Sequence, residues 1–347
     1  MGKNIHMKKI ILFTILWVSF NSGILSAQDK PVVASTASMI WDMSKNIGGD
    51  HFEHRMIVPI GGDPHIYEPT PSDARLVASA DLILKNGLTF EGWINSLIKN
   101  SGTKASVVTV TEGLPALTSL TYKDASDPHA WMDATKGEFY LRNIRDALIA
   151  LSPEHKDDII KNYESYSRKL SELDEYIENE IKKIPEAQRI LITSHDAFQY
   201  YGRRYGLNLQ AIQGVSTDAE VLTADVRRVN KVIRESGVPA VFVETTINPK
   251  MLNRIAKDND IVVGGSLFSD SIGDENSAAP SYLEMLRYNT NTIVAALSRK
   301  KTTKSEVDDA HNHGGESSGN STYIMIGLLA LVFLGGMAFM IKKMNKA

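Results

Sequence analysis

The sequence predicts an α/β protein in which parallel sheets are flanked by helices. Short apolar runs rich in β-branched residues alternate with longer amphipathic runs. Strands that are separated by helices form parallel βαβ units, because a parallel partner needs a crossover connection. The alternation has a similar layout on both sides of residues 153–185, which are themselves predicted to form one long helix.

The composition excludes several classes of protein. With 43% hydrophobic and 23% charged residues, the chain is typical of a globular protein, and 347 residues give room for about two domains. The formal net charge of −3 gives no basic excess that would favour nucleic acid as a partner. The absence of cysteine excludes disulfides, thiolate metal sites, a cysteine nucleophile and a lipid-bearing N-terminal cysteine.

Both ends of the chain predict targeting segments. Residues 1–27 have lysines before an apolar run and are typical of a secretory signal peptide cut after Ala27, although the bulk of Leu25 leaves an uncleaved anchor open. Residues 323–341 are uncharged and close to the length of a membrane span. Lysines follow in residues 342–347, which predicts a cytoplasmic tail by the positive-inside rule. Residues 300–322 are predicted to be a flexible linker.

Residues 28–152 form the first predicted α/β lobe. Its predicted strands are residues 31–35, 54–58, 81–84 and 106–110. Its predicted helices pass through residues 39–43, begin at residues 70–73, and cover residues 91–98 and 137–151. The helix start at residues 70–73 has suitable chemistry, because Thr70 or Ser72 can cap it and Asp73 suits the positive end of the helix dipole.

Residues 153–185 are predicted to form a long linking helix of about 45 Å. Apolar residues recur every three or four positions on one face, and Pro185 ends the pattern. A coiled-coil dimer is the competing interpretation of this stripe, but a helix that runs along both lobes of one chain is favoured, because only about four heptads are present.

Residues 186–299 form the second predicted α/β lobe. Its predicted strands are residues 189–193, 207–212, 240–243 and 261–263. Its predicted helices are residues 223–236, 249–258 and 281–298. The second lobe therefore repeats the strand and helix alternation of the first.

Three histidines and one aspartate lie in loops of similar character. His65 lies in a loop rich in glycine and proline after the second strand, and His129 lies in an Asp-Pro-His-Ala-Trp motif. His195 and Asp270 each follow a strand of the second lobe. In open α/β sheets, ligands bind at the carboxyl ends of strands, and three imidazoles with one carboxylate suit a divalent transition ion. The sequence therefore predicts a metal site made of these four side chains.

Neighbouring carboxylates have two possible roles. Asp63, Asp127 and Asp196 lie within two residues of a predicted ligand and could orient its ring, but turn formation is the favoured role. Glu244 ends a strand, and an indirect or structural role is favoured over direct ligation. The remaining histidines are predicted to be solvated; they are His51, His54 and His155, with His311 and His313 in the linker.

Several motifs in order resemble the zinc/manganese-binding solute receptors of ABC importers, over about residues 31–297. They are Gly62–Asp73, Asn86–Leu88 with Glu91–Trp93, Asp127–Trp131, His195–Phe198, Gln213–Thr217 and Phe268–Ser271. The resemblance implies two α/β lobes joined by a long rigid helix. It also implies an ion held between the lobes by His65, His129, His195 and Asp270, and delivery to a membrane permease powered by a cytoplasmic ATPase.

Two departures from the family bear on the metal. Many zinc members have a long histidine- and acid-rich insertion that this chain lacks, whereas many manganese members have glutamate where this chain has His195. Three imidazoles favour Zn²⁺, with Mn²⁺ next. A membrane span at the C-terminus is unusual for the family.

The main hypothesis is therefore an extracytoplasmic metal receptor that is not an enzyme and that works with an ABC permease. A zinc-dependent hydrolase is a second hypothesis, although no His-Glu-x-x-His helix is present. A membrane-anchored adhesin or surface scaffold is a third, suggested by the predicted anchor.

Overall fold

The computed structural model describes residues 29–119 and 126–299. All of these residues belong to one compact unit that ends at Arg299. The predicted signal peptide, linker, membrane span and cytoplasmic tail lie outside the described residues. Within the described residues, no helix is both long enough and apolar enough to cross a bilayer.

The N-terminal half, which precedes the long helix, contains one parallel four-stranded sheet in the order β2-β1-β3-β4. The central strands β1 and β3 are largely buried, whereas the edge strands β2 and β4 are more exposed. The strands are β1 (Val32–Ser35), β2 (Glu53–Met56), β3 (Leu82–Lys85) and β4 (Ser106–Thr109). All four strands lie where the alternating pattern predicts them.

Four helices connect and cover this sheet. They are α1 (Ser38–Gly48), α2 (Pro71–Ser79), α3 (Ile94–Ser101) and α4 (Ala134–Leu151). Helix α2 begins at a capping box, in which the side chain of Thr70 accepts from the backbone of Asp73 and the side chain of Asp73 accepts from the backbone of Thr70. This start anchors the chain directly after the loop that contains His65.

The long helix α5 (Lys156–Ile181) has 26 residues and is preceded by a short 3₁₀ turn at Pro153–His155. At about 1.5 Å per residue it is about 39 Å long. Its predicted apolar stripe is buried, except that Tyr163 is half-buried. The helix packs against α1 and α4 of the N-terminal half and against helices of the C-terminal half, so its stripe is buried within the chain.

The C-terminal half, which follows α5, contains two parallel strand pairs, β5-β6 and β7-β8. Strand β5 also lies beside β7. The strands are β5 (Ile190–Thr193), β6 (Asn208–Ala211), β7 (Ala240–Glu244) and β8 (Val262–Leu267). The C-terminal half therefore has two hydrogen-bonded strand pairs where one sheet was predicted. The backbone N–H of His195, after β5, donates to the side chain of Glu244 at the end of β7.

The helices of this half are α6 (Gln199–Tyr205), α7 (Thr223–Ser236), α8 (Lys250–Asp258) and α9 (Tyr282–Leu297). The sequence did not predict α6, which is seven residues long and contains Gly202. Its buried residues are Tyr200, Tyr201, Gly202 and Tyr205, which do not form the long aliphatic stripe that identifies the other helices.

A shared hydrophobic core extends through both halves and includes the buried face of α5. Helix α9 also returns to the N-terminal half at its first residue. The backbone N–H of Tyr282 donates to Oδ2 of Asp42 at 3.0 Å, and the Tyr282 hydroxyl donates to the carbonyl of Trp131 at 2.6 Å. These bonds fix the C-terminal half against the segment that follows His129.

Candidate metal centre

The structure brings together the four side chains that the sequence selects. One donor atom from each of His65, His129, His195 and Asp270 lies within 4.8 Å of the others. We call this group the histidine–aspartate cluster. Nε2 of His65 lies 3.2 Å from Nε2 of His129, and the Asp270 oxygens lie 3.4 Å from Nε2 of His129 and 3.3 Å from Nε2 of His195.

These separations match the size of a transition ion. Donor atoms about 2.0–2.1 Å from a tetrahedral zinc ion lie about 3.3 Å from one another. The side chains of His129, His195 and Asp270 are fully buried, and His65 is half-buried. The cluster is therefore a nearly closed set of donors that is approached past His65.

Asp127 holds the ring of His129. Its Oδ1 lies 2.8 Å from Nδ1 of His129 and also accepts from the backbone N–H of His129 at 2.9 Å. The two predicted roles of Asp127, turn formation and ring orientation, thus both occur. Burial would lower the pKa of His129, but the hydrogen bond to Asp127 and the charges of Asp127 and Asp270 outweigh it and raise the pKa to about 9.

Glu244 lies beside His195 as Asp127 lies beside His129, but it bonds to the backbone and not to the ring. Its Oε1 accepts from the backbone N–H of His195 at 2.9 Å, and its Oε2 lies 2.6 Å from Nδ1 of the ring, out of line for a hydrogen bond. Burial opposes protonation of His195, but the charges of Glu244 and Asp270 raise its pKa well above the usual value. The position of Glu244 agrees with the predicted indirect role.

Asp63 and Asp196 make no hydrogen bond or ion pair with a ring of the cluster. Asp63 accepts from the backbone N–H of His65 at 2.9 Å, which is the predicted turn role, and also accepts from the Thr217 hydroxyl at 2.6 Å. Asp196 accepts from the Gln199 side chain at 3.1 Å. Burial raises the pKa of Asp196 to about 6.

Buried polar atoms of the cluster remain unsatisfied among the described residues. Nε2 of His195 and Oδ1 of Asp270 have no hydrogen-bond partner there. Burial would raise the pKa of Asp270, but the neighbouring His195 and His129 hold it well below its usual value, so this carboxylate is anionic. An unsatisfied buried polar group costs free energy, and a divalent cation would satisfy both atoms and offset the carboxylate charge.

Sequence reasoning assigned no role to the loop that presents Phe90. This ring packs edge-on against His65, with centroids 4.8 Å apart. The loop is strained, since Leu88 and Thr89 both have positive φ. It is held by fully buried Glu91, which accepts from the backbone of Asn86 and Gly87 and from the Thr36 hydroxyl. In the sequence, this loop could have been found from the Asn86-Gly87 pair, which is typical of a turn, and from Glu91, a glutamate that directly follows Phe90.

The other described histidines lie apart from the cluster. His51 lies 3.0 Å from Asp158 and stacks on His155, and both rings remain partly exposed. The prediction that His54 is solvated was wrong, because its Nδ1 lies 3.0 Å from the Ser44 hydroxyl, and burial lowers its pKa to about 4. His311 and His313 lie outside the described residues.

Comparison with protein families identifies one match over nearly all the described residues. Residues 32–296 match the family described as zinc-uptake complex component A, periplasmic. The manganese-binding lipoprotein MntA of Halalkalibacterium halodurans is 33% identical over 302 residues, covering 84% of this chain and 100% of that protein. The zinc-binding protein TroA of Treponema pallidum is 33% identical over 287 residues, covering 81% of this chain and 93% of that protein.

Solved structures agree with these sequence matches. The periplasmic zinc-binding protein TroA from Treponema pallidum superposes with a TM-score of 0.74 at 33% identity, over 78% of this chain and all of that chain. A Mn-bound periplasmic metal-binding protein from Candidatus Liberibacter asiaticus gives a TM-score of 0.71 at 29% identity, over 77% of this chain and all of that chain. The relatives thus include proteins named for zinc and proteins named for manganese.

Proposed function

The chain belongs to the family of periplasmic metal-binding receptors of ABC transporters, and from this premise we propose that it captures one divalent transition ion in the histidine–aspartate cluster. The receptor is extracytoplasmic and is not an enzyme. We assign the ion to the region between an N-terminal lobe and a C-terminal lobe. The receptor then delivers the ion to a permease in the cytoplasmic membrane. The observation that carries the proposal is the convergence of four donor side chains from both sides of α5.

The geometry favours capture of an ion over catalysis. A catalytic zinc site keeps one position open for water or substrate. Here the protein offers four donor side chains, three fully buried and one half-buried, which would complete a tetrahedral shell without water. This arrangement supports a receptor and does not favour the hydrolase hypothesis.

We propose Zn²⁺ as the favoured ion, with Mn²⁺ next. Three imidazoles suit Zn²⁺, and the general affinity order places Zn²⁺ above Mn²⁺ at a site of this composition. Three of the donor separations, at 3.2–3.4 Å, are compatible with a zinc shell, while the four donors as a set lie within 4.8 Å of one another.

Metal-dependent thermal stabilisation tests the proposal. An ion that binds only the folded protein stabilises it by about 4 kcal/mol at a thousandfold excess over Kd. We expect Zn²⁺ to raise the melting temperature of the wild-type chain and of the control His155→Ala, whose side chain lies outside the cluster. His65→Ala should lose most of this increase. An equal increase in His65→Ala would contradict the assignment.

We further propose that residues 323–341 anchor the receptor to the cytoplasmic membrane beside its permease. A tether raises the effective concentration of receptor at the permease. Residues 1–27 would direct export. Protease treatment of intact spheroplasts should release a soluble fragment that contains the cluster. Full protection of the chain from protease would contradict this topology.

A further inference from the structure

The loop that contains His65 is held by the C-terminal half at two residues that precede the histidine. At the first, the backbone N–H of Gly61 donates to the Ser271 hydroxyl at 2.8 Å. At the second, the Thr217 hydroxyl donates to Oδ2 of Asp63 at 2.6 Å. Ser271 follows Asp270 directly, whereas Thr217 lies in a separate segment between β6 and α7.

Asp63 transmits this contact to His65. Its Oδ1 accepts from the backbone N–H of His65, while its Oδ2 accepts from Thr217. One carboxylate therefore joins the backbone of a proposed metal-binding residue to the opposite half of the chain. The segment around Thr217 is itself held, because the Gln213 side chain donates to the carbonyl of Ala219 at 2.8 Å.

The Asp63–Thr217 bond lies at the approach to the cluster. Both residues line a surface groove of about 400 Å³, together with Ile66 and Thr246. Thr246 in turn lies 3.5 Å from Oδ2 of Asp270. Because His129, His195 and Asp270 are fully buried while His65 is half-buried, an ion that leaves the cluster passes the His65 loop.

We propose that Thr217 is a positioning residue that slows release of the bound ion by holding the His65 loop through Asp63. The inference rests on the proposed metal-receptor function. Release requires the His65 loop to separate from the C-terminal half, so the Asp63–Thr217 bond is broken before the ion leaves. Capture begins from the separated loop, in which the bond is absent, so its loss affects capture less than release.

The substitution Thr217→Val tests this proposal, since it removes the hydroxyl and keeps the branched shape. The full-length chain is loaded with Zn²⁺ and mixed with excess chelating dye to measure release, and capture is measured by mixing metal-free protein with Zn²⁺. We expect release to become about tenfold faster, the effect of losing one hydrogen bond to a charged acceptor, with capture changed less than about threefold. The matched control Thr223→Val, at an exposed position at the start of α7, should release at the wild-type rate.

A double-mutant cycle separates this role from a general loss of structure. Asp63→Ala should accelerate release, and adding Thr217→Val to it should have little further effect, because both substitutions remove the same bond. The melting temperature of metal-free Thr217→Val should stay close to that of the wild type.

Three results would overturn the proposal. They are an unchanged release rate in Thr217→Val, equal acceleration of capture and release, or additive effects of the two substitutions. Failure of the wild-type chain to bind Zn²⁺ would instead refute the proposed receptor function, so the two failures are distinguishable.

Discussion

Two buried carboxylates outside the histidine–aspartate cluster set the chemistry of its rings. Asp127 lies 2.8 Å from Nδ1 of His129, and Glu244 lies 2.6 Å from Nδ1 of His195. Each carboxylate favours a proton on Nδ1 and so leaves Nε2 facing the cluster. The same carboxylates, with Asp270, favour the protonated rings when no ion is present. An arriving cation therefore competes with protons.

Metal affinity should consequently rise with pH. The pKa of His129 is raised to about 9, so in the metal-free protein this ring holds an extra proton at neutral pH, and that proton leaves when Nε2 binds an ion. As the pH falls below 9, the apparent Kd for Zn²⁺ should increase by about tenfold or more for each pH unit. Calorimetry in buffers of different ionisation enthalpy should detect at least one proton released per ion at pH 7.

The substitution Asp127→Asn serves as a check on this interpretation. It removes the charge beside Nδ1 and should lower the pKa of His129, so fewer protons should be released at pH 7. Binding of Zn²⁺ to the wild-type protein without proton release would contradict the raised pKa.

Glu244→Gln should weaken Zn²⁺ binding by about ten- to a hundredfold, the usual effect of losing a partner that orients a metal-binding histidine. The amide can still accept from the backbone of His195, but it removes the charge beside the ring. Competition with a chelator of known affinity would measure the change. Asp158→Asn, which alters a carboxylate beside His51 on the surface, is the control and should leave Kd within about threefold.

At the scale of the elements, the strands and most helices could be predicted because their apolar residues follow clear periods. The stripe on α5 predicted its buried face, but the predicted range of residues 153–185 was too long, because Pro153–His155 form a 3₁₀ turn and the helix ends at Ile181. Helix α6 was missed because seven residues with three tyrosines and a glycine have no such period. The turn at Asn86-Gly87 could have been recognised from the sequence, but the positive φ of Leu88 and Thr89 could not, because the buried carboxylate of Glu91 holds the loop.

Close packing of α4 against α5 and α9 depends on Gly137. A Cβ added there would lie 2.7 Å from the Tyr282 hydroxyl and 3.0 Å from Cδ2 of Leu170. Gly137→Ala should therefore destabilise the metal-free protein by about 1–3 kcal/mol, although alanine favours a helix by about 1 kcal/mol over glycine. Urea denaturation measures the difference.

The control for this substitution is Gly92→Ala, where an added Cβ would meet no atom within 4 Å. It should change the free energy of unfolding by less than about 0.5 kcal/mol. Equal stability of Gly137→Ala and the wild type would show that α4 can move away without cost.

At the scale of the whole molecule, four side chains between positions 65 and 270 meet because both halves share one core. Hydrogen bonds between the two halves align the loops that present these four side chains. One of them runs from the Trp131 indole to the carbonyl of Ser269 at 3.0 Å. The sequence could predict which four side chains meet, since most follow strands. It could not predict the Asp63–Thr217 bond, because that contact depends on how the two halves pack.

The most direct test is anomalous diffraction at the zinc absorption edge from crystals of the protein grown with Zn²⁺. We predict one peak with His65, His129, His195 and Asp270 as its protein ligands, at about 2.0–2.2 Å from the ion. A peak bound elsewhere, with these four side chains not coordinated, would contradict the proposed metal centre.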